Sequence, residues 1–234
     1  MDSGPAFPAF DFGLELPAAL IVIDMQPVGV SPGVGLVKSI ESSVPGYTGY
    51  LVQRVREEVV PAITRLGEAF RRADQSVVFM LFGSAVGDGS DIRTSTIRYR
   101  SEQRRKATGS SVLTSRADPA SDVIAELRPQ PGDLQLTKTS MDSFVSTDLH
   151  ERLQAKGVRS LVVTGVYTDA CVESTARTAA ELGYRVFVAA DGCCAWQPAF
   201  HEQSLANLGR YFARVESAKT LAALLDDAAA ARTP

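Results

Sequence analysis

Histidine is almost missing from this chain, with two residues in 234, and cysteine is nearly as scarce, with three. Two histidines leave little material for a nitrogen-rich metal centre. Three cysteines are too few, and odd in number, to staple a chain of this length as a disulfide scaffold. Positive charge is not in excess either. The 24 basic residues face 27 acidic ones, a formal net charge of −3, whereas a dedicated nucleic-acid binder needs a basic surface against the phosphates. No apolar run approaches the roughly 18–20 residues that span a bilayer. Neither nucleic acid nor a membrane is therefore expected as a partner. Met1–Pro17 carries Asp2, Asp11, Glu15 and three prolines where a secretory leader needs positive charge and an unbroken apolar run, so a cytoplasmic location is expected. Disorder is excluded by what is present: 45% of the residues are apolar, enough to build a core.

Those apolar residues come in short runs that alternate with helical stretches. Strands are predicted at Ala18–Ile23, Ser76–Phe82, Leu134–Leu136, Ser160–Thr164 and Arg185–Ala189, with a weaker one at Phe212–Val215. Continuous β-branched runs suit strands buried on both faces. Helices are predicted at Tyr50–Arg72, Pro119–Leu127, Thr147–Lys156, Ala170–Leu182, Ala199–Tyr211 and Ser217–Ala228. Alternation of this kind implies parallel strands with right-handed crossovers. The expected fold is a single α/β domain over residues 1–234, a three-layer α/β/α sandwich on a parallel sheet of about six strands, with residues 1–17 as an N-terminal extension. Two connections, Met25–Gly49 and Gly83–Ala117, are too long for ordinary turns and emerge at the carboxyl edge, where open α/β sheets bind ligands. The second is locally basic from Arg93 to Lys106. It reads equally as a solvated or interface-forming excursion and as a stretch facing an anionic substrate.

Three polar residues stand at strand ends. Asp24 follows Leu20–Ile23, Lys138 follows Leu134–Thr137, and Cys171 lies just beyond Ser160–Thr164 at the start of the next helix. In a parallel sheet all three converge on one edge. A cysteine at a helix start is expected to have its thiol pKa lowered toward neutrality by the dipole and the unpaired N–H groups. Backbone N–H groups of the preceding turn can hold an oxyanion. Asp24 can take the thiol proton and return it to a leaving group if desolvation raises its pKa. Lys138 can hold carboxylate and thiolate in register. Taken singly, each has an ordinary reading as a buried small residue, a turn former or a surface charge. Gln26 reads either as a substrate contact or as the start of a turn. Phe144, Tyr167 and Trp196 read either as walls of a substrate pocket or as aromatic core. Cys193 and Cys194 read as packing thiols. The stretch from Gly83 to Gly89 lacks the Lys-Ser/Thr of a phosphate loop, and no Gly-x-Gly-x-x-Gly follows the first strand. No cofactor is expected.

The stretches LIVIDMQ (Leu20–Gln26), TKTSMDSFVSTDL (Thr137–Leu149) and LVVTGVYTDACVESTARTAAELGYRVFVAADGC (Leu161–Cys193) resemble the isochorismatase-like cysteine hydrolases, a superfamily that includes nicotinamidases, N-carbamoylsarcosine amidases, biuret hydrolases and ureidoacrylate amidohydrolases. The resemblance covers nearly the whole chain. It implies a six-stranded parallel sheet between helices, a catalytic triad at Asp24, Lys138 and Cys171, a cis peptide between Val166 and Tyr167, and an oxyanion hole from the N–H groups of Tyr167 and Cys171. It also implies a homodimer or homotetramer. Nicotinamidases carry an Asp-x-His metal pair after the second strand, whereas Gly83–Asp91 has no histidine. His150 and His201 lie on predicted helices, as solvated or capping residues, so no metal is expected. Asp142, in Met141–Phe144, departs from the family pattern and either reshapes the pocket beside Lys138 or turns outward. The expected activity is metal-independent C–N hydrolysis of a small amide or ureido compound through a thioester. The alternatives are an isochorismatase-type hydrolase of a vinyl ether and a catalytically silent scaffold.

Overall fold

Every residue of Ala18–Ile23 is buried, which only a central strand covered on both faces allows. In the computed structural model, which describes residues 9–108 and 115–231, this strand (β1) sits inside an all-parallel six-stranded sheet. The others are β2 (Ser76–Phe82), β3 (Leu134–Lys138), β4 (Ser160–Val166), β5 (Arg185–Cys194) and β6 (Arg214–Glu216), in the order β3-β2-β1-β4-β5-β6. The chain thus forms a single α/β domain. Residues 1–8 of the expected extension and 109–114 of the second long connection lie outside the described residues.

Alternate side chains of β1 serve two cores. Ala18, Leu20 and Val22 face a cluster with Leu51, Val59, Ile63, Leu66 and Phe70, sealed by Leu221 and Leu225. Ala19, Ile21 and Ile23 face one with Leu149, Leu153, Val172, Ala176 and Leu208. The first face is covered by α3 (Gly49–Arg54), α4 (Val60–Arg72) and α9 (Ala218–Ala230), the second by α6 (Leu149–Ala155), α7 (Glu173–Glu181) and α8 (Pro198–Tyr211).

Several predicted elements change shape. The single helix expected at Tyr50–Arg72 is interrupted by a π-helical turn, Val55–Val59. Pro61 follows it in the first turn of α4; having no N–H and a ring that crowds the preceding turn, it favours such a bulge. The helix expected at Pro119–Leu127 is two separate 3₁₀ turns, Pro119–Ser121 and Ala125–Leu127, with Asp122 extended between them. The cause is remote: the Ser121 carbonyl accepts from Gln26 Nε2 at 2.6 Å and from Arg116, so it is taken before a helix can use it. The strands β3, β4 and β5 run further than expected, and β6 lies slightly later. Neither long connection is structureless. The first holds α1 (Pro27–Val30) and α2 (Gly35–Ser43), and the second α5 (Ser95–Thr108), its base closed by a Ser84–Ser115 bridge.

The described segment before β1 is also built in. Glu15 pairs with Arg159 and Arg185 at 2.7 and 2.8 Å, and Arg214 donates to the carbonyls of Asp11 and Phe12. Residues 9–17 therefore strap the edge of the sheet opposite the carboxyl ends.

Candidate active site

Three strand ends bring Asp24, Lys138 and Cys171 together. The sheet order puts β2 between β1 and β3, so Lys138 must reach across the end of β2 to meet Asp24. Its ammonium passes 5.0 Å from the Phe82 ring centre and donates to Asp24 Oδ2 at 2.8 Å. Its remaining two N–H bonds go to the carbonyls of Met141 and Ser140, at 3.1 and 3.2 Å. Lys138 has no solvent exposure, and a buried ammonium survives only when its donors are satisfied in this way. Burial opposes its charge, but the Asp24 carboxylate, with Cys171 beside it, outweighs that and holds its pKa above the ordinary lysine value.

The loop after β3 is shaped around that ammonium. Asp142 does not turn outward. It is buried, and Oδ1 accepts from the N–H groups of Phe144 and Val145 while Oδ2 accepts from Thr178 on α7. It caps its own loop and ties it to α7.

Asp24 turns the chain sharply. Its φ is +53°, in the left-handed region that aspartate tolerates better than most residues. Oδ2 is held by Lys138, whereas Oδ1 is enclosed and has no hydrogen-bond partner among the described residues. Burial raises the carboxyl pKa, with Lys138 and then the Cys171 thiol acting in the opposite direction. Desolvation thus moves Asp24 as expected.

Cys171 departs from expectation. It lies in a π-helical turn, Thr168–Val172, that precedes α7, and is 8% exposed. Burial pushes its thiol up to about 12, the Asp24 charge adds to the rise, and Lys138 opposes it. The helix-start effect loses, because desolvation of a thiolate beside a carboxylate outweighs a fractional dipole charge. The resting group is a thiol.

The turn carrying Cys171 is set by the end of β4. The Val166–Tyr167 peptide is cis. Gly165, at φ +105°, passes so close to β1 that a Cβ there would sit 2.1 Å from the Ile23 carbonyl oxygen. Beyond it, the N–H groups of Ala170 and Val172 both point at the Tyr167 carbonyl, at 3.0 and 3.2 Å.

Of the softer candidates, Tyr167 and Trp196 come together, ring centres 4.7 Å apart, and the Tyr167 hydroxyl donates to the Gly29 carbonyl at 2.7 Å. Trp196 also meets Tyr47. These rings clasp the segment between β1 and α3. Phe144 instead stacks on Tyr184 and meets the His150 ring edge-on. Gln26 is fully engaged by the protein: Nε2 donates to the carbonyls of Phe82 and Ser121, and Oε1 accepts from the Phe82 N–H. It clamps β1 to β2 and leaves no N–H for a substrate. His201 is not solvated but buried, with ring contacts to Thr168 and Arg54. Burial, then Arg54, lowers its pKa to about 4. Sequence reasoning missed it because a histidine in the first turns of a polar-looking helix gives no sign of a remote partner. Among the described residues no group of three His, Cys, Asp or Glu side chains is placed to hold a metal ion, and no helix is long and apolar enough to cross a membrane.

Known proteins share this architecture. The chain is 31% identical over 238 residues to the ureidoacrylate amidohydrolase RutB of Stutzerimonas stutzeri, covering 92% of this chain and 90% of that one. It is 34% identical over 173 residues to RutB of Variovorax paradoxus, a match spanning 71% of this chain but only 64% of its relative. The crystal structure of a cysteine hydrolase from Pseudomonas syringae pv. phaseolicola aligns over 97% of this chain and all of that one, with a TM-score of 0.76 at 25% identity. Residues 18–220 match the Isochorismatase domain, a span holding all three converging residues, and the chain belongs to the isochorismatase family.

Proposed function

We propose that the protein is a metal-independent cysteine amidohydrolase that cleaves the C–N bond of a small amide or ureido compound, ureidoacrylate-like compounds being the first to try. The observation that carries this reading is the division of labour at Asp24. Lys138 engages Oδ2, Oδ1 is enclosed with no hydrogen-bond partner among the described residues, and the Cys171 thiol lies against the same carboxyl group, which is the placement a proton acceptor needs. The relatives named for ureidoacrylate hydrolysis support the substrate class.

Substrate entry starts the chemistry. Asp24 takes the thiol proton as Cys171 Sγ attacks the carbonyl carbon, so the S–C bond forms while the C=O π pair moves onto oxygen. The N–H groups of Tyr167 and Cys171 hold that oxyanion. Asp24 passes its proton to the leaving nitrogen, the C–N bond breaks, and ammonia or an amine departs from a thioester. Asp24 then deprotonates water, which attacks the thioester carbon, and the thiol is restored as the C–S bond breaks. Lys138 stays charged throughout and holds the carboxylate in place.

Ammonia release across ureidoacrylate, carbamoyl acids, biuret and primary amides, with and without chelator, tests the reading. Cys171→Ala is expected to remain folded and lose at least about 10³-fold in turnover, and chelator is expected to change nothing. Full activity in Cys171→Ala, or loss with chelator, overturns it.

A further inference from the structure

A fourth side chain grips the nucleophile turn from α8. The two ring nitrogens of His201 have different partners: Nε2 lies 3.2 Å from Arg54 Nη2, and Nδ1 lies 2.8 Å from Thr168 Oγ1. A guanidinium can only donate. Nε2 is therefore the bare, accepting nitrogen, and the ring proton sits on Nδ1, aimed at Thr168. Arg54 is itself fixed, donating to the carbonyls of Cys193 and Ala190 and pairing with Glu58. Ser204, one turn along α8 from His201, places its hydroxyl 3.0 Å from the Thr168 carbonyl and donates to the Glu173 carboxylate. Thr168 is the first residue of the turn and directly follows the cis Val166–Tyr167 pair. Two residues of one helix thus pack against Thr168, which lies between the cis peptide and Cys171, and His201 bonds its side chain.

We propose that His201 is a positioning residue for hydrolysis, its Nδ1–H bond to Thr168, oriented by Arg54, fixing the turn that presents the Cys171 thiol and the N–H groups of Tyr167 and Cys171. This rests on the reading of Cys171 as the nucleophile. His201 touches no reacting atom. A histidine kept only to fill space needs no particular tautomer. Here an obligate donor occupies one nitrogen, and the other meets a hydroxyl that can be deleted without disturbing the ring.

The test uses a probe that requires no knowledge of the substrate. Acetaldehyde labelled with carbon-13 at C1 reacts with a competent thiol to give a hemithioacetal: the S–C bond forms, the C=O π bond opens, and the thiol proton ends on oxygen. Carbon-13 NMR reads the adduct and its dissociation constant. Wild type is expected to form it and Cys171→Ala not. Thr168→Val, matched in shape, is expected to stay folded at assay temperature, weaken the adduct at least ~10-fold, and lower kcat with little change in KM, since sub-ångström misplacement of reacting groups acts on the transition state. Thr168→Ser is expected to restore adduct and kcat to within ~3-fold, whereas His201→Phe, a ring of similar shape with no N–H, is expected to weaken both as Thr168→Val does. Wild-type behaviour in Thr168→Val or in His201→Phe overturns the proposal. Absence of the adduct on wild type instead overturns the nucleophile reading, and this inference with it.

Discussion

Lys138 and Cys171 are both deeply buried and both keep their protons, which leaves one charged and the other neutral. The ammonium has three acceptors around it, including a carboxylate, so charge is retained. The thiol shares that carboxylate as a neighbour and stays neutral. A buried ion pair of this kind is weak support for stability, although removing one partner typically costs about 3–5 kcal/mol. Its value here is placement. His201 gives a sharper residue-scale expectation. Its folded pKa, about 4, lies below the ordinary 6.5. Between those values the unfolded chain binds a proton that the folded protein refuses, so this contribution to stability is complete above about pH 6.5 and shrinks as pH falls toward 4. The charges around the ring are Arg54 directly, Glu58 behind it, and Glu173 through Ser204 on the other side. Urea unfolding of wild type at pH 7 and pH 5 is expected to differ by on the order of 2 kcal/mol more than in His201→Asn. Equal differences in the two proteins would remove the effect.

At the scale of elements, β4 carries the most constrained joint. Its register against β5 shifts between Val163 and Gly165, the kind of irregularity that re-aims a strand end beside a site. Only glycine fits at 165, where φ is +105° and β1 backbone lies where a Cβ would go. Gly165→Ala is expected to lower Tm by about 10 °C or more, since strain and overpacking at such a position cost several kcal/mol; a calorimetric Tm within a degree or two of wild type would refute this. The strands were legible in the chain because their apolar, β-branched runs admit almost no other reading. The strand-end residues Asp24, Lys138 and Cys171 were legible for the same reason, as polar residues where apolar runs stop. Other features were hidden because their causes are remote in sequence. Gln26 looked available until Phe82 and Ser121 claimed its amide, and the same bond, with Arg116, ended the helix expected after Asp118. The α5 helix offers no apolar stripe to read, being polar on nearly every side, although its run of Arg, Gln, Glu and Lys favours helix and Lys106 pairs with Glu102 at 3.0 Å.

For the molecule as a whole, Asp24, Lys138 and Cys171 meet only after β3, β2, β1 and β4 have all paired, so the site is assembled by contacts between segments far apart in sequence. Stability is expected to be graded accordingly. Amide hydrogens of β1 and β4, buried throughout, should exchange with water last, and those of α5 should exchange at least about 10³-fold faster, as read by mass spectrometry of peptides. Comparable protection in α5 would show that it is packed in solution against something absent from the single chain. The raised thiol pKa of Cys171 has a consequence of another kind. Peroxide and related oxidants attack thiolate, not thiol, and climb from sulfenic to irreversible acids. In the mechanism proposed above, a nucleophile stored with its proton and relieved of it only when substrate binds beside Asp24 is sheltered from that damage between turnovers; the burial that keeps Cys171 a thiol at rest also makes it durable.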